Sequence, residues 1–545
     1  MFGLNDRRIR LIRDVDRWSV GTLAITAFIA LPILYIGVKL FSGPGETWGH
    51  LVRNLLLEYV GNTFFLVAVC GLLTLVVGVG SAWLVSRFEF PFRRQAEWLL
   101  ILPLTIPTYI MGYTYAGIFD YGGSFELILR YFGLEFIRFD IMNRFGLSFI
   151  LSISLFPYVY VSARSFFLNQ AGNILEASKM LGVGEFKSFF RLILPLARPA
   201  IIAGLILVLM EVLNDYGAAK YFGVNTFVTG IFRAWFALEE PETAIYLSAL
   251  LIVIVLALIM WERWQRKNIQ IASLKHSTLA PRRVLGKPIQ WLIFLTLLVP
   301  ICLGFLIPLA QLIYWATLTA GKVFNSDFLF VSFQSLGIAL LTALVTVLFA
   351  TVLIYFSKWN TLISIRNFSK IGVLGYAMPG AVIAIGVMIP TLGLDKWMIG
   401  VMDRYFGVSM GFLIHGSLVA LIYAYVVRFL AVAYHPIEST GQKISRSIPD
   451  SSRMLGVGKL YTLWRVELPL IKAGVLSSFI LVFIDVMKEL PLTLILKPYQ
   501  VSTLAVKAYE YASDERVMEA ALPSLFIIAT AAIPIILLNR LQITD

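Results

Sequence analysis

Twelve apolar stretches, at about 19–40, 63–85, 96–118, 145–166, 196–217, 244–262, 290–316, 334–357, 369–392, 408–431, 470–488 and 520–539, set the terms on which this chain can fold. Most approach or exceed the roughly 18 residues at which a bilayer-spanning helix becomes the default reading. Within hydrocarbon each backbone amide must find its partner inside the segment, which leaves helices or a closed barrel. A barrel requires short segments of alternating polarity, and these runs are long and continuously apolar. The side chains are 59% hydrophobic and 14% charged, against roughly 45–50% and 25% in soluble domains. The sequence therefore predicts an all-α, polytopic membrane protein.

The twelve runs divide six and six, and the halves repeat one another. Met180, Leu181, Gly182, Val183 and Gly184 recur as Met454, Leu455, Gly456, Val457 and Gly458, 274 residues further on. Around them Glu176, Ala177 and Ser178 correspond to Asp450, Ser451 and Ser452, Arg191 to Arg465, and Leu194, Pro195 and Leu196 to Leu468, Pro469 and Leu470. Pro107 pairs with Pro379, each in the third helix of its half, where a break is expected. Six helices per half give both copies the same orientation, that of parallel repeats. The expected organisation is a first half over residues 1–262, a basic linker over 263–289 containing Pro281 and Pro288, and a second half over 290–545.

Charge placement orients the chain. With the N-terminus inside, the inner segments are 1–18, 86–95, 167–195, 263–289, 358–368 and 432–469, and they carry the clusters of Arg and Lys. The net charge of +13 follows from this topology together with attraction to anionic lipid, so no nucleic-acid partner is required. The arginines at 7, 8, 10, 13 and 17 precede a run too long for a cleaved leader, which predicts an uncleaved first helix and both termini in the cytoplasm. Cys70 and Cys302 lie in apolar runs and His50, His276, His415 and His435 share no ligand spacing, so neither a disulfide nor a metal site is read from them.

Residues Ile174 to Phe190 are predicted to form two short helices broken at Gly182, Val183 and Gly184, with the acidic residue near the positive end of the first. Glu176, Ala177 and Ser178 followed by Gly182, Leu194 and Pro195 resemble the EAA loop of ABC-importer permeases, and the second copy resembles the same loop with Asp450 and Ser451 in place of Glu and Ala. The resemblance covers about 60–263 and 330–540 and implies a type I ABC-importer permease fold. In that family the loop is the coupling helix seated in a cleft of an ATPase subunit. Glu176, Ala177, Gly182, Gly184, Asp450, Ser451, Gly456 and Gly458 are the residues it assigns to coupling. Two cytoplasmic ATPase subunits and an extracytoplasmic substrate-binding protein are the implied partners. The stretch Gly182 to Ser188 has no Gly directly before Lys187, so it is no phosphate-binding loop. The chain is expected to hold no cofactor and to catalyse no reaction, with ATP bound by the partners.

Glu211 and Asp215 in the first half correspond to Asp485 and Glu489 in the second, at i and i+4 on one helix face. The 16 residues from Pro195 to Glu211 rise about 24 Å, toward the outer part of a hydrocarbon layer of about 30 Å. Carboxylates at that depth call for a cavity, water or a cation, which makes all four candidates for a translocation path or metal contact. Asp215 and Glu489 fit equally well as helix ends already in water beside Lys220 and Lys497. Asn214 adds an oxygen, and Lys488 offers a neutralising charge. The segments Asn214 to Gly217, Tyr221 to Val224, Lys488 to Pro491 and Ala512 to Arg516 resemble the fused ferric-iron permeases of bacteria, implying residence in the bacterial inner membrane and iron as cargo. A permease for thiamine or another small solute and an ion-gradient-driven transporter are the alternatives; a channel fits less well, because the acids form no symmetric ring. Glu239, Glu240, Glu242, Glu510, Asp514, Glu515 and Glu519 in outer loops are candidates for docking a basic partner surface, and otherwise read as solvated. Tyr109, Tyr113, Tyr158 and Tyr160 read as packing or interfacial aromatics.

Overall fold

A computed structural model describes residues 16–134, 139–267, 282–360, 363–407, 411–445 and 447–543. Within these the regular structure is helical apart from one two-residue parallel pairing, Phe88–Glu89 with Arg283–Val284. Nine of the described helices are long and apolar enough to cross a bilayer, and two more qualify if each of two bent pairs counts as one span. The last predicted span is the helix Ala521–Ile543. Arginines 7, 8, 10 and 13 and most of the predicted linker, 268–281, lie outside the described residues.

Both bends have a local cause. In the first half Arg93–Thr105 meets Thr108–Tyr131 at 94°, and Pro107 is the extended residue that starts the helix Thr108–Phe119. Proline has no amide to continue a helical ladder and biases its predecessor toward extended backbone. The second half shows the same break at Pro379, between a 3-10 stretch, Ser369–Ala377, and the helix Gly380–Phe406. The other bent pair is Lys459–Leu470 with Lys472–Met487, at 78°. Its first-half counterpart, Glu185–Asn214, forms a single span, so the duplicated segments differ in shape.

Hydropathy places a span at 408–431, but the helix is Leu418–Gln442. Gly407, with φ +63°, closes the preceding helix, and buried Asp395 accepts the amides of Leu413, Ile414 and His415 at 3.3, 3.0 and 2.6 Å. That carboxylate holds as a loop a stretch whose hydropathy alone reads as helix.

The compact units interleave the sequence halves. One comprises Met1–Gly43, Ser326–Val506 and Ala529–Asp545; the other comprises Pro44–Asn325 and Lys507–Ile528. In the first unit the helix Arg17–Lys39 packs on Ser326–Trp359 and Gly380–Phe406. Trp18 meets Phe356 and Trp359 edge-on, and a Cβ on Gly386 would fall 2.7 Å from the Pro32 carbonyl oxygen. In the second unit Leu56–Arg87, Arg144–Met180 and Leu194–Asn214 form the central packing. A Cβ on Gly78 would meet Val159 at 2.7 Å, and one on Gly204 would meet the Tyr158 carbonyl oxygen at 2.7 Å. Small residues at such crossings let backbones approach where hydrocarbon offers no hydrophobic drive toward association.

Candidate functional site

The repeated loops have one geometry, built twice. Helix Arg144–Met180 carries the first half's loop residues at its end, then turns at Gly182, whose φ is +72°. The Val183 amide donates to the Ser178 carbonyl at 2.9 Å, the six-residue closure typical of a helix ended by a left-handed glycine. Gly184, extended at φ −63° and ψ 151°, then starts the helix Glu185–Ser188. In the second half Gly456 has φ +78°, the Val457 amide reaches the Ser452 carbonyl at 3.2 Å, and Gly458 starts Lys459–Thr462. A hydroxyl pair spans each turn: Ser188 to Ser178 at 2.9 Å and Thr462 to Ser452 at 2.8 Å.

The sequence predicts two short helices per loop. In the first half the leading one is the continuation of the long helix Arg144–Met180, whereas in the second half Ser447–Met454 stands separate from Leu418–Gln442. The trailing helix passes in both halves through a wide turn, Phe189–Ile193 or Leu463–Glu467. Pro195 and Pro469 follow directly. Their rings exclude the carbonyl four residues back, and an i→i+5 turn relieves that clash.

At each tip two apolar side chains face outward: Met180 and Leu181 are 89% and 79% exposed, Met454 and Leu455 88% and 83%. Asp450 and Ser451 lie on the helix Ser447–Met454, with Asp450 3.6 Å from Arg453. Glu176 and Ala177 lie on the long helix, and their side chains are outside those described. No Cβ placed on Gly182, Gly184, Gly456 or Gly458 would meet another atom within 4 Å.

Different ion pairs moor the two loops to the end of their half's second helix. Glu185 lies 2.5 Å from Arg87 and 2.8 Å from Arg283 of the linker. In the second half Glu467, only 1% exposed, lies 2.7 Å from Lys358. Neither acid stands out in the sequence, because acids beside basic loops are usually solvated.

The acids at the end of the fifth helix also differ between halves. Asp215 is buried; it accepts the Ala219 amide at 3.0 Å and the Thr108 hydroxyl, tying the broken third helix to the end of the fifth. Its counterpart Glu489 accepts the Leu492 amide at 3.1 Å and lies 3.4 Å from Arg428, with both side chains buried. Gly380 leaves room for this pair, since a Cβ there would sit 2.8 Å from a Glu489 oxygen and against the Arg428 guanidinium. Asp485 pairs with Lys488 at 2.9 Å. Glu211 is half-buried one helical turn before Asp215, and Asn214 is buried. Among the described residues no three His, Cys, Asp or Glu side chains form a cluster able to hold a metal ion.

Sequence reasoning misses Arg428, Thr108 and Asp395. Arg428 carries a signal, a lone cation amid the apolar stretch from Leu418 to Ala433, and such a residue calls for a buried partner. Of the outer-loop acids, Glu240 is taken up by the Thr47 amide and hydroxyl and by Thr243. These bonds, the Thr47 hydroxyl first, hold its carboxyl below the usual range. Glu519 pairs with Arg516. Tyr109 and Tyr113 are buried in a run of ring contacts that includes Tyr221, Tyr509 and Tyr216.

The family described as "Binding-protein-dependent transport system inner membrane component" matches this chain twice, over residues 74–265 and 364–543. The Fe(3+)-transport system permease protein FbpB 2 of Haemophilus influenzae is 25% identical over 523 residues, covering 94% of this chain and 96% of that protein. The sulfate transport system permease protein CysT of Escherichia coli is 25% identical over 231 residues, 41% of this chain and 80% of its own. The molybdate/tungstate transport system permease protein WtpB of Methanocaldococcus jannaschii is 29% identical over 200 residues, 37% of this chain and 75% of its own.

Proposed function

This chain belongs to the binding-protein-dependent transport-system inner-membrane components, and on that premise we propose that it is the fused permease of a bacterial ATP-driven importer for ferric iron. One observation carries the coupling role: at the same sequence register in each half, a glycine-closed turn presents an exposed Met and Leu beyond a hydroxyl-latched helix pair. Apolar side chains held in water on a fixed scaffold are covered at low cost by a partner's groove. Two turns suit two ATPase subunits, one per loop, on the cytoplasmic side with both termini. ATP is bound and hydrolysed by those subunits, and an extracytoplasmic binding protein delivers the cargo. Iron is favoured because a relative aligned along nearly the whole chain is an Fe(3+) permease, whereas the sulfate and molybdate permeases named above align over less than half of it.

Movement of the ATPase pair reaches the fifth helix of each half through the trailing loop helix, which continues directly into Leu194–Asn214 and through a bend into Lys472–Met487. Asp215 then fixes the broken third helix to the moving one, and Glu489 fixes the fourth helix of its half through Arg428. Glu211 and Asp485 supply carboxylate oxygens to the passing cation, and Lys488 offsets the charge at Asp485 when the path is empty.

The test uses vesicles holding this permease, its ATPase and an iron-loaded binding protein. Uptake of radioactive iron should require ATP. Gly182→Arg with Gly456→Arg should leave insertion intact and abolish ATPase co-purification, whereas Glu211→Gln with Asp485→Asn should reduce uptake while the ATPase still co-purifies. Uptake driven by an ion gradient without ATP would overturn the proposal.

A further inference from the structure

Arginines outnumber carboxylates where the linker between the halves meets the first one. The strand Arg283–Val284 pairs with Phe88–Glu89 at the end of the helix Leu56–Arg87. Around it Arg93 lies 2.9 Å from Glu97 and 3.4 Å from Glu89, Arg164 pairs with Glu97, Arg282 is 4.0 Å from Glu89, and Arg87 and Arg283 share Glu185. Five arginines thus share three carboxylates, and exposed Arg94 brings a sixth cation with no ion pair among the described residues. The sequence supplies no compensation nearby, since residues 263–289 contain no Asp or Glu. Arg282 registers the excess: burial first, then repulsion by Arg93, pushes its guanidinium below its ordinary value, against the pull of Glu89.

The neighbouring surface is aromatic. Phe92 is a non-glycine residue with φ +59°, a left-handed conformation that bulky side chains avoid. It is exposed there, 5.6 Å from Phe294, which in turn meets exposed Trp291 edge-on at 5.8 Å. Lys287 starts the helix that carries Phe294 and Trp291. A fixed cation excess beside outward-turned aromatic rings, at the ends of membrane-spanning helices, is complementary to a phosphodiester whose acyl chains lie in the same leaflet.

We propose that this surface is a binding site for an anionic phospholipid, its phosphate held by Arg94 and Arg282 and its acyl chains laid against Phe92, Trp291 and Phe294. The bound headgroup relieves the repulsion among the arginines. It thereby holds the linker strand on the helix Leu56–Arg87 and steadies Arg283 on Glu185 of the first loop. The second half has no counterpart, because the linker occurs once.

Native mass spectrometry of the complete transporter, taken from bilayers of phosphatidylcholine mixed with phosphatidylglycerol, measures the ratio of the two lipids retained. The wild type should favour phosphatidylglycerol. Arg94→Gln should lower that preference about fivefold, the effect of one cation near a lipid phosphate. It breaks no ion pair among the described residues. Arg94→Gln with Arg282→Gln should abolish the preference, and Lys322→Gln, at the far end of the helix Ile307–Val323, should leave it unchanged. An equal preference in the wild type and the double variant would overturn the proposal, as would loss of bound phosphatidylglycerol to excess inorganic phosphate, which would identify a small-anion site.

Discussion

The turn glycines separate two properties that usually travel together, backbone freedom and space. Gly182 and Gly456 lie at φ +72° and +78° with nothing within 4 Å of the position a methyl group would take, and Gly184 and Gly458 are equally uncrowded at φ −63° and −68°. Alanine at 184 or 458 therefore carries no backbone penalty in the free permease. At 182 or 456 the left-handed region costs an L-residue about 1–2 kcal/mol, a factor of about 5–30 in the population holding the turn. Among the described residues the two loops are moored by different partners, so the double variant should lose about 2–4 kcal/mol of native turn geometry. Titrating the purified ATPase onto reconstituted permease reads this loss as weaker association. Gly182→Ala with Gly456→Ala should weaken binding by about 30- to 700-fold, and Gly184→Ala with Gly458→Ala should do so by less than about threefold, at about 1.4 kcal/mol per tenfold. Equal losses in the two pairs would refute the reasoning, because contact with the partner, and not turn conformation, would then govern the loop.

The second half's buried ion pair offers two further tests. Arg428→Met leaves Glu489 buried without its cation and should destabilise the protein by about 3–5 kcal/mol, while Arg428→Met with Glu489→Gln should recover most of that loss in thermal unfolding. Gly380→Ala drives a methyl group onto the same pair and should cost about 1–3 kcal/mol; Gly337→Ala, in a helix interior with open space around it, should be neutral or stabilising by about 0.5–1 kcal/mol. Equal melting temperatures for the two glycine variants would remove the steric argument.

Local signals on this chain are legible wherever one residue type decides the backbone. The apolar runs locate nearly all the membrane helices, Pro107 and Pro379 mark both breaks, and Gly182 and Gly456 mark both turns. Pairings across sequence are not legible. Nothing near Arg428 names Glu489, 61 positions away, and the apolar stretch before Leu418 carries no sign that Asp395 will take its amides. The packing of Arg17–Lys39 against Ser326–Trp359 is equally hidden, because a hydropathy pattern identifies a buried stripe without naming what covers it. For the carboxylates, depth along the helix is readable and occupancy is not. Asp215 and Glu489 each have protein donors at hand, a fact held by Thr108, Ala219, Leu492 and Arg428 and not by the spacing of the acids.

Duplication explains why the devices match and divergence explains why their chemistry does not. Each half ends its fifth helix at a buried carboxylate, but in the first it holds the broken third helix through neutral donors, the Thr108 hydroxyl and an amide, and in the second it holds the fourth helix through the Arg428 cation, packed over Gly380. The position that holds Arg428 in the second half is Ser154 in the first, where the hydroxyl instead reaches the Ile106 carbonyl at 3.4 Å. Swapping one residue alone would leave a buried charge unmatched, at a cost of several kcal/mol, so Arg428, Glu489 and Gly380 form a set that must change together. The loops diverged the same way: Glu185 faces Arg87 in one half, while Lys459 stands at its repeat position in the other and buried Glu467 takes the mooring role toward Lys358. In separate subunits of a symmetric dimer each such set would have to serve both copies. A fused chain lets each half settle its own, and the pairing of linker Arg283 with Glu185 makes the first loop's surroundings differ from the second's even where their turns are the same.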